Sequence, residues 1–221
     1  MFKKIIQFIL VILFLPPCYY AGLILYEEIS GISNISGDQL YFFYGCIFYL
    51  IFHAVAFKPD KLYIFAHEVM HAIATVLSGG KVHSIRVSGK GGSVKTNKSN
   101  AFITLAPYLF PFYTILAAIV YFVLVYFKKD APMFSRVFLF IVGATLTFHI
   151  VLTINFLKIK QTDLSGTGYF FSMQLIYLVN VMIVALIFNF LFREVDFRRF
   201  ASSAFAESKK AYIDIFRQLF L

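Results

Sequence analysis

The chain has 221 residues, 60% of them hydrophobic and only 14% charged, with a mean hydropathy of +0.80. A soluble domain carries roughly a quarter charged residues, so this composition excludes an ordinary water-soluble protein and describes an integral membrane one. The formal charge of +9 does not signal nucleic acid, because the Lys and Arg sit at the ends of apolar blocks, where they suit anionic lipid headgroups.

The first apolar run, 5–26, follows Met1-Phe2-Lys3-Lys4 and lacks a small-x-small cleavage site. It reads as an uncleaved first span, kinked at Pro16-Pro17. A helix needs roughly 20 apolar residues to cross a bilayer, and 39–57, 101–127, 133–157 and 168–192 also approach or exceed that length. The segment 62–77 is shorter. Cys18 and Cys46 lie inside apolar blocks and read as buried free thiols. Glu27, Glu28 and Asp38 mark 27–38 as an outside loop, which leaves Lys3, Lys4, Lys58 and Lys61 facing the cytoplasm. The pattern changes between 79 and 98: Gly79-Gly80 turns the chain, Val82–Val87 alternates, Ser88-Gly89-Lys90-Gly91-Gly92 turns it again, and Ser93–Thr96 returns. Pro107 and Pro111 kink the segment that follows. From Asp196 onward Arg and Lys mix with Phe, Tyr and Ile, as in an interfacial amphipathic helix.

The expectation is an all-α membrane protein of about six apolar helices, with one small β-hairpin after the 62–77 helix and a C-terminal amphipathic helix. N-terminal membrane helices occupy 1–60, a membrane core 61–192 and the interfacial tail 193–221. The Phe-, Ile- and Lys-rich usage suits a bacterial cytoplasmic membrane.

The chemistry concentrates in His67-Glu68-Val69-Met70-His71. Two histidines four apart on a helix project from one face, one turn apart, and can share one Zn2+. Glu68, beside the first of them, can take a proton from water activated by that metal. An HExxH can fall by chance on a solvated helix face. Here it lies between Tyr63-Ile64-Phe65-Ala66 and Ala72-Ile73-Ala74, and ionisable residues inside an apolar helix are functional by default.

A catalytic zinc takes three protein ligands. Ala74 and Leu77 stand where a metzincin extension needs glycine and histidine, and no Glu occurs between Glu68 and Glu194. Asp130 and Asp163 are the only Asp residues between His71 and Arg193. Asp130, after Lys128-Lys129, reads as part of a solvated turn. Asp163, in Gln161-Thr162-Asp163-Leu164-Ser165-Gly166, is either a helix-capping acid or the third ligand. His149 competes for that place or stands behind the ligands, its plainer account being a buried, hydrogen-bonded histidine. His53 and His83 are weaker candidates.

These residues resemble the site-2 protease family of intramembrane zinc metallopeptidases, in particular its small bacterial branch. The likeness covers roughly 61–175: an HExxH in an apolar helix, then Leu77-Ser78-Gly79-Gly80-Lys81-Val82, a glycine-containing hairpin and a late Asp-x-x-Gly from Asp163 to Gly166. Thr162-Asp163-Leu164-Ser165 stands where the family usually has an Asn-Pro-x-x-Asp-Gly type of sequence. The resemblance implies zinc held by His67, His71 and Asp163, with Glu68 as catalytic base. The substrate would be a membrane protein or peptide, cleaved in or near the bilayer. It also implies that the hairpin at 82–96 presents an edge strand to an unwound substrate, through Val82, Ile85, Val87 and Val94. A catalytically silent scaffold of the same fold is the alternative. A small transporter, suggested by His53 and His149, is a weaker one because no repeated half is present.

Topology adds a constraint. If every apolar segment crossed once, the start of the HExxH helix and Asp163 would lie on opposite faces of the membrane. Either one segment is re-entrant, or 101–127 does not cross as one rod, or Asp163 is not a ligand.

Overall fold

Long apolar runs without turn residues become helices, because only a helix satisfies every backbone N–H and C=O internally where water is absent. The computed structural model describes residues 2–56, 58–89, 91–127, 132–158, 163–166 and 168–220. Lys90, Asp130, Gln161 and Thr162 lie outside them. In chain order the elements are α1 (Phe2–Ser30), α2 (Leu40–Val55), α3 (Asp60–Leu77), β1 (Val82–Ser88), β2 (Gly91–Thr96), α4 (Ala101–Leu109), α5 (Phe112–Phe127), α6 (Pro132–Leu157), a 3-10 turn (Asp163–Ser165), α7 (Tyr169–Leu191) and α8 (Phe197–Phe220). Among the described residues α1, α6 and α7 are long and apolar enough to cross a membrane; five segments are, if α2 with α3 and α4 with α5 each count as one bent span. The all-α membrane architecture with a single hairpin is as the sequence predicts.

The chain divides into two compact units, Ser36–Asp163 and Met1–Ile35 with Leu164–Leu221. In the first, α2 lies along α6 with the two backbones in direct approach. A Cβ at Gly143 would stand 2.0 Å from the Phe42 carbonyl oxygen, and one at Gly45 2.0 Å from that of Phe140. Small residues at such crossings let helices pack by close van der Waals contact, the dominant attraction where lipid replaces water. Tyr49, Tyr63, Phe148 and Leu152 then join α2, α3 and α6 in one buried cluster.

Two sequence features shape the middle of this unit. Gly79 has φ +73, Gly80 N–H donates to Thr75 O at 2.8 Å and Gly79 N–H to Val76 O at 2.9 Å. That is a Schellman stop, which needs a residue tolerant of the left-handed region; it turns α3 into the hairpin. The strands pair antiparallel, with His83 as the extra residue of an irregularity between Val82 and Ser84. The 101–127 segment is not one rod. α4 ends at Leu109, α5 starts at Phe112, and the two helices diverge by 71°. The break falls at Phe110-Pro111, while Pro107 lies inside α4. The 101–127 region is therefore bent, as one of the topological options requires.

In the second unit α1 runs unbroken through Pro16-Pro17. Asp196 caps α8, its Oδ1 accepting from the N–H groups of Arg198 and Arg199 at 2.8 and 2.9 Å. α8 lies antiparallel along α1: Arg199 pairs with Glu28 at 2.6 Å, Phe200 packs with Ala21 and Ile24, and the Tyr212 hydroxyl donates to the Leu13 carbonyl.

The α2–α6 crossing predicts a sharp contrast. Gly143→Ala should lower stability by about 3 kcal/mol, the upper part of the overpacking range, because the clash is with backbone. Gly37→Ala, with nothing within 4 Å of its Cβ, should shift stability by no more than about 0.5 kcal/mol. Unfolding of the purified protein in detergent measures both.

Candidate metal centre

α3 presents His67 and His71 from one face, one helical turn apart, towards the chain end of the same unit. Their Nε2 atoms stand 3.1 Å apart, and Asp163 Oδ2 lies 3.4 Å from the first and 3.5 Å from the second. Among the described residues this is the one group of three metal-type donors whose atoms all lie within 4.8 Å of each other. Burial alone would raise the pKa of Asp163, but hydrogen bonding and charge from the two imidazoles outweigh it and hold the carboxyl well below its ordinary range.

The residues fit a metal. His71 Nδ1 donates to the Ile103 carbonyl at 2.8 Å, which leaves the Nε2 lone pair of a neutral ring facing the cluster. The two Nε2 atoms and one carboxylate oxygen converge on a single point. Ligand atoms about 2.0–2.1 Å from a tetrahedral ion of zinc's size stand roughly 3.3–3.4 Å apart. The three observed separations, 3.1, 3.4 and 3.5 Å, bracket that spacing. His67 Nδ1 is buried without a hydrogen bond among the described residues, so that ring is held by packing, with Tyr108 edge-on at 5.0 Å and Tyr63 at 5.9 Å.

The cluster opens into a cavity of about 660 Å³ whose lining includes Glu68, Ile103, Phe156 and, from the hairpin, Gly92, Ser93 and Val94. Glu68 is 6% exposed. β2 passes directly over it: a Cβ at Gly92 would stand 2.4 Å from Glu68 Cγ and 2.5 Å from Oε1. Only a residue without a side chain lets the strand lie this close to the carboxylate. Of the four hairpin positions named from the sequence, Val94 lines the cavity, whereas Val82, Ile85 and Val87 belong to β1 and do not line it.

The other histidines lie elsewhere. His149, 5% exposed on α6, lines a separate small cavity beneath His67 and is not in the donor cluster. His53 is tied to Tyr49 at 3.3 Å and Asn155 at 3.2 Å. His83 is exposed in β1. Sequence reasoning missed Tyr108, which is fully buried and donates its hydroxyl to Asp163 Oδ2 at 3.3 Å. The available signal was a phenol inside an apolar run, since a buried Tyr O–H needs an acceptor.

A helical integral membrane protein with two histidines and an aspartate gathered under a β-hairpin defines the class. The chain belongs to the Peptidase M50B-like family, whose model matches residues 41–197, a stretch that contains His67, Glu68, His71 and Asp163. That bears out the resemblance to the site-2 proteases. No curated protein and no solved structure matches the chain.

Tyr108→Phe should reduce affinity for a divalent metal about 10-fold, the lower end of the effect of losing a group behind a ligand, while the protein stays folded. Metal titration against a chromophoric chelator, with thermal unfolding alongside, checks this.

Proposed function

We propose that this protein is a zinc-dependent endopeptidase that hydrolyses peptide bonds of membrane proteins or peptides in or beside the bilayer, in a bacterial cytoplasmic membrane. The observation that carries the reading is the convergence of His67, His71 and Asp163 at tetrahedral ligand spacing, one residue away from a buried glutamate. A donor set of two imidazoles and one carboxylate suits zinc and leaves a position for water and substrate. Zinc held there would supply Lewis-acid polarisation of the scissile carbonyl and of water.

The remaining steps belong to the chain. Glu68 accepts a proton from the attacking water and delivers it to the leaving amine nitrogen. Its burial beside His67 keeps it in reach of the reacting atoms and away from bulk solvent. Tyr108, through its bond to Asp163, and Ile103, through its bond to His71, hold two of the donors in place. β2 borders the cavity, so its free edge offers main-chain groups to an extended peptide, with Val94 beside the site and Val82, Ile85 and Val87 on the companion strand. Pairing of this kind fixes a peptide by its backbone and tolerates many side chains. It also requires the substrate to be unwound where it is cut.

Purified in detergent without chelators, the protein should carry one zinc per chain. Asp163→Ala should lose it and His149→Ala should keep it; a parent without zinc sinks the proposal and favours a silent scaffold. Glu68→Gln should retain zinc and lose cleavage by a factor on the order of 10²–10⁴. Because protons compete with metal for imidazole, zinc affinity should fall progressively as the pH is lowered.

The β2 glycine that lies against Glu68 gives a separate test. Gly92→Ala should cut kcat by at least about 10-fold, because a catalytic group displaced by even 1 Å is costly, with zinc content unchanged. An unaltered kcat would mean that β2 does not sit over Glu68 during turnover.

A further inference from the structure

Pro107 is the seventh of the nine residues of α4, an unusual place for proline. It does not serve to end the helix, which continues to Leu109 and breaks at Phe110-Pro111. An α-helix pairs the N–H of each residue with the carbonyl four residues earlier. Proline has no N–H, so Pro107 leaves the carbonyl of Ile103 without its helical donor. That carbonyl is the one that accepts from His71 Nδ1 at 2.8 Å.

We infer that Pro107 is a positioning residue for the metal centre: by withholding an N–H it reserves the Ile103 carbonyl for His71 and so turns His71 Nε2 into the donor cluster. The inference rests on the metal-binding reading above and adds to it a residue far from the HExxH motif.

The surroundings make the reservation effective. Ile103 is 5% and Ala106 0% exposed, so bulk water does not satisfy the carbonyl, and a buried carbonyl left unpaired is costly. Ile103 is itself fixed, its N–H held by the Asn100 side chain at 2.8 Å. α3 and α4 are clamped together by Met70, Ala74, Ile103 and Ala106, which brings the carbonyl to the imidazole. The chain uses the same device once more, in the other unit. Pro17 inside α1 withholds the N–H that would bond Leu13, and the Leu13 carbonyl accepts from the Tyr212 hydroxyl of α8. In both places a helix proline exposes one carbonyl, and a polar side chain from a packed neighbour takes it.

Restoring the N–H creates a competitor for the Ile103 oxygen. Pro107→Ala should weaken zinc binding about 10-fold, the lower end of the range for disturbing a group behind a ligand, and should change the visible spectrum of the Co2+-substituted protein. It should not lower the melting temperature of the metal-free protein, because alanine is the better helix residue. Pro107→lactic acid, which puts a backbone ester oxygen where the N–H would be, should restore the parent affinity and spectrum. Parent-like affinity in Pro107→Ala, or equal weakening in the alanine and ester variants, overturns the inference while leaving the metal site standing. A parent that binds no zinc overturns the site reading itself. If Pro107→Ala does not fold, the ester variant decides alone: affinity within about twofold of the parent supports the inference, and a larger loss overturns it.

Discussion

The bond from His71 to the Ile103 carbonyl is the point on which the site depends. In apolar surroundings every polar group must find a partner, and this one bond satisfies two needs together. It completes a backbone carbonyl that the α4 helix leaves open, and it fixes the imidazole so that its second nitrogen faces His67 and Asp163. Around it the remaining polar groups fall into order. Asn100 holds Ile103 from the other side, Tyr108 reaches Asp163, and Tyr63 meets Thr153. The centre is therefore supported from α3, α4 and the turn after α6, all within one unit.

Close backbone approach is the second structural theme, and glycine makes it possible where it matters. Gly45 and Gly143 let α2 and α6 touch, which sets the base on which Tyr63 of α3 packs. Gly92 lets β2 lie on the Glu68 carboxylate. The first approach builds the scaffold, while the second brings a strand edge and the Glu68 carboxylate into one cavity. A hairpin is well suited to that position, because its outer edge carries unpaired main-chain groups that a helix would have used internally.

The bend at Phe110-Pro111 connects these themes. It keeps α4 short and against α3 and sends α5 away to pack on α6, where Thr114 meets Thr145 at 3.0 Å and Tyr121 stacks on Phe138. A straight 101–127 helix could not do both.

Much of this was legible along the chain because it is local. Apolar run lengths mark the helices, Gly79-Gly80 marks the stop of α3, Ser88–Gly92 marks where the hairpin reverses although Ser88, Gly91 and Gly92 pair within the strands, and a spacing of four puts His67 and His71 on one face. Each follows from backbone geometry over a few residues. The sequence also narrowed the third donor to Asp163 or His149 by elimination. It could not choose between them, because both lie far along the chain and either could reach the pair. In the fold the turn after α6 gathers Asp163 with the two histidines, while α6 itself keeps His149 in a separate cavity. Tyr108, the Ile103 carbonyl and the place of Gly92 over Glu68 were likewise decided only in three dimensions. A hydrogen bond between distant elements leaves no periodic trace in sequence; it exists only once packing has brought the two groups within reach.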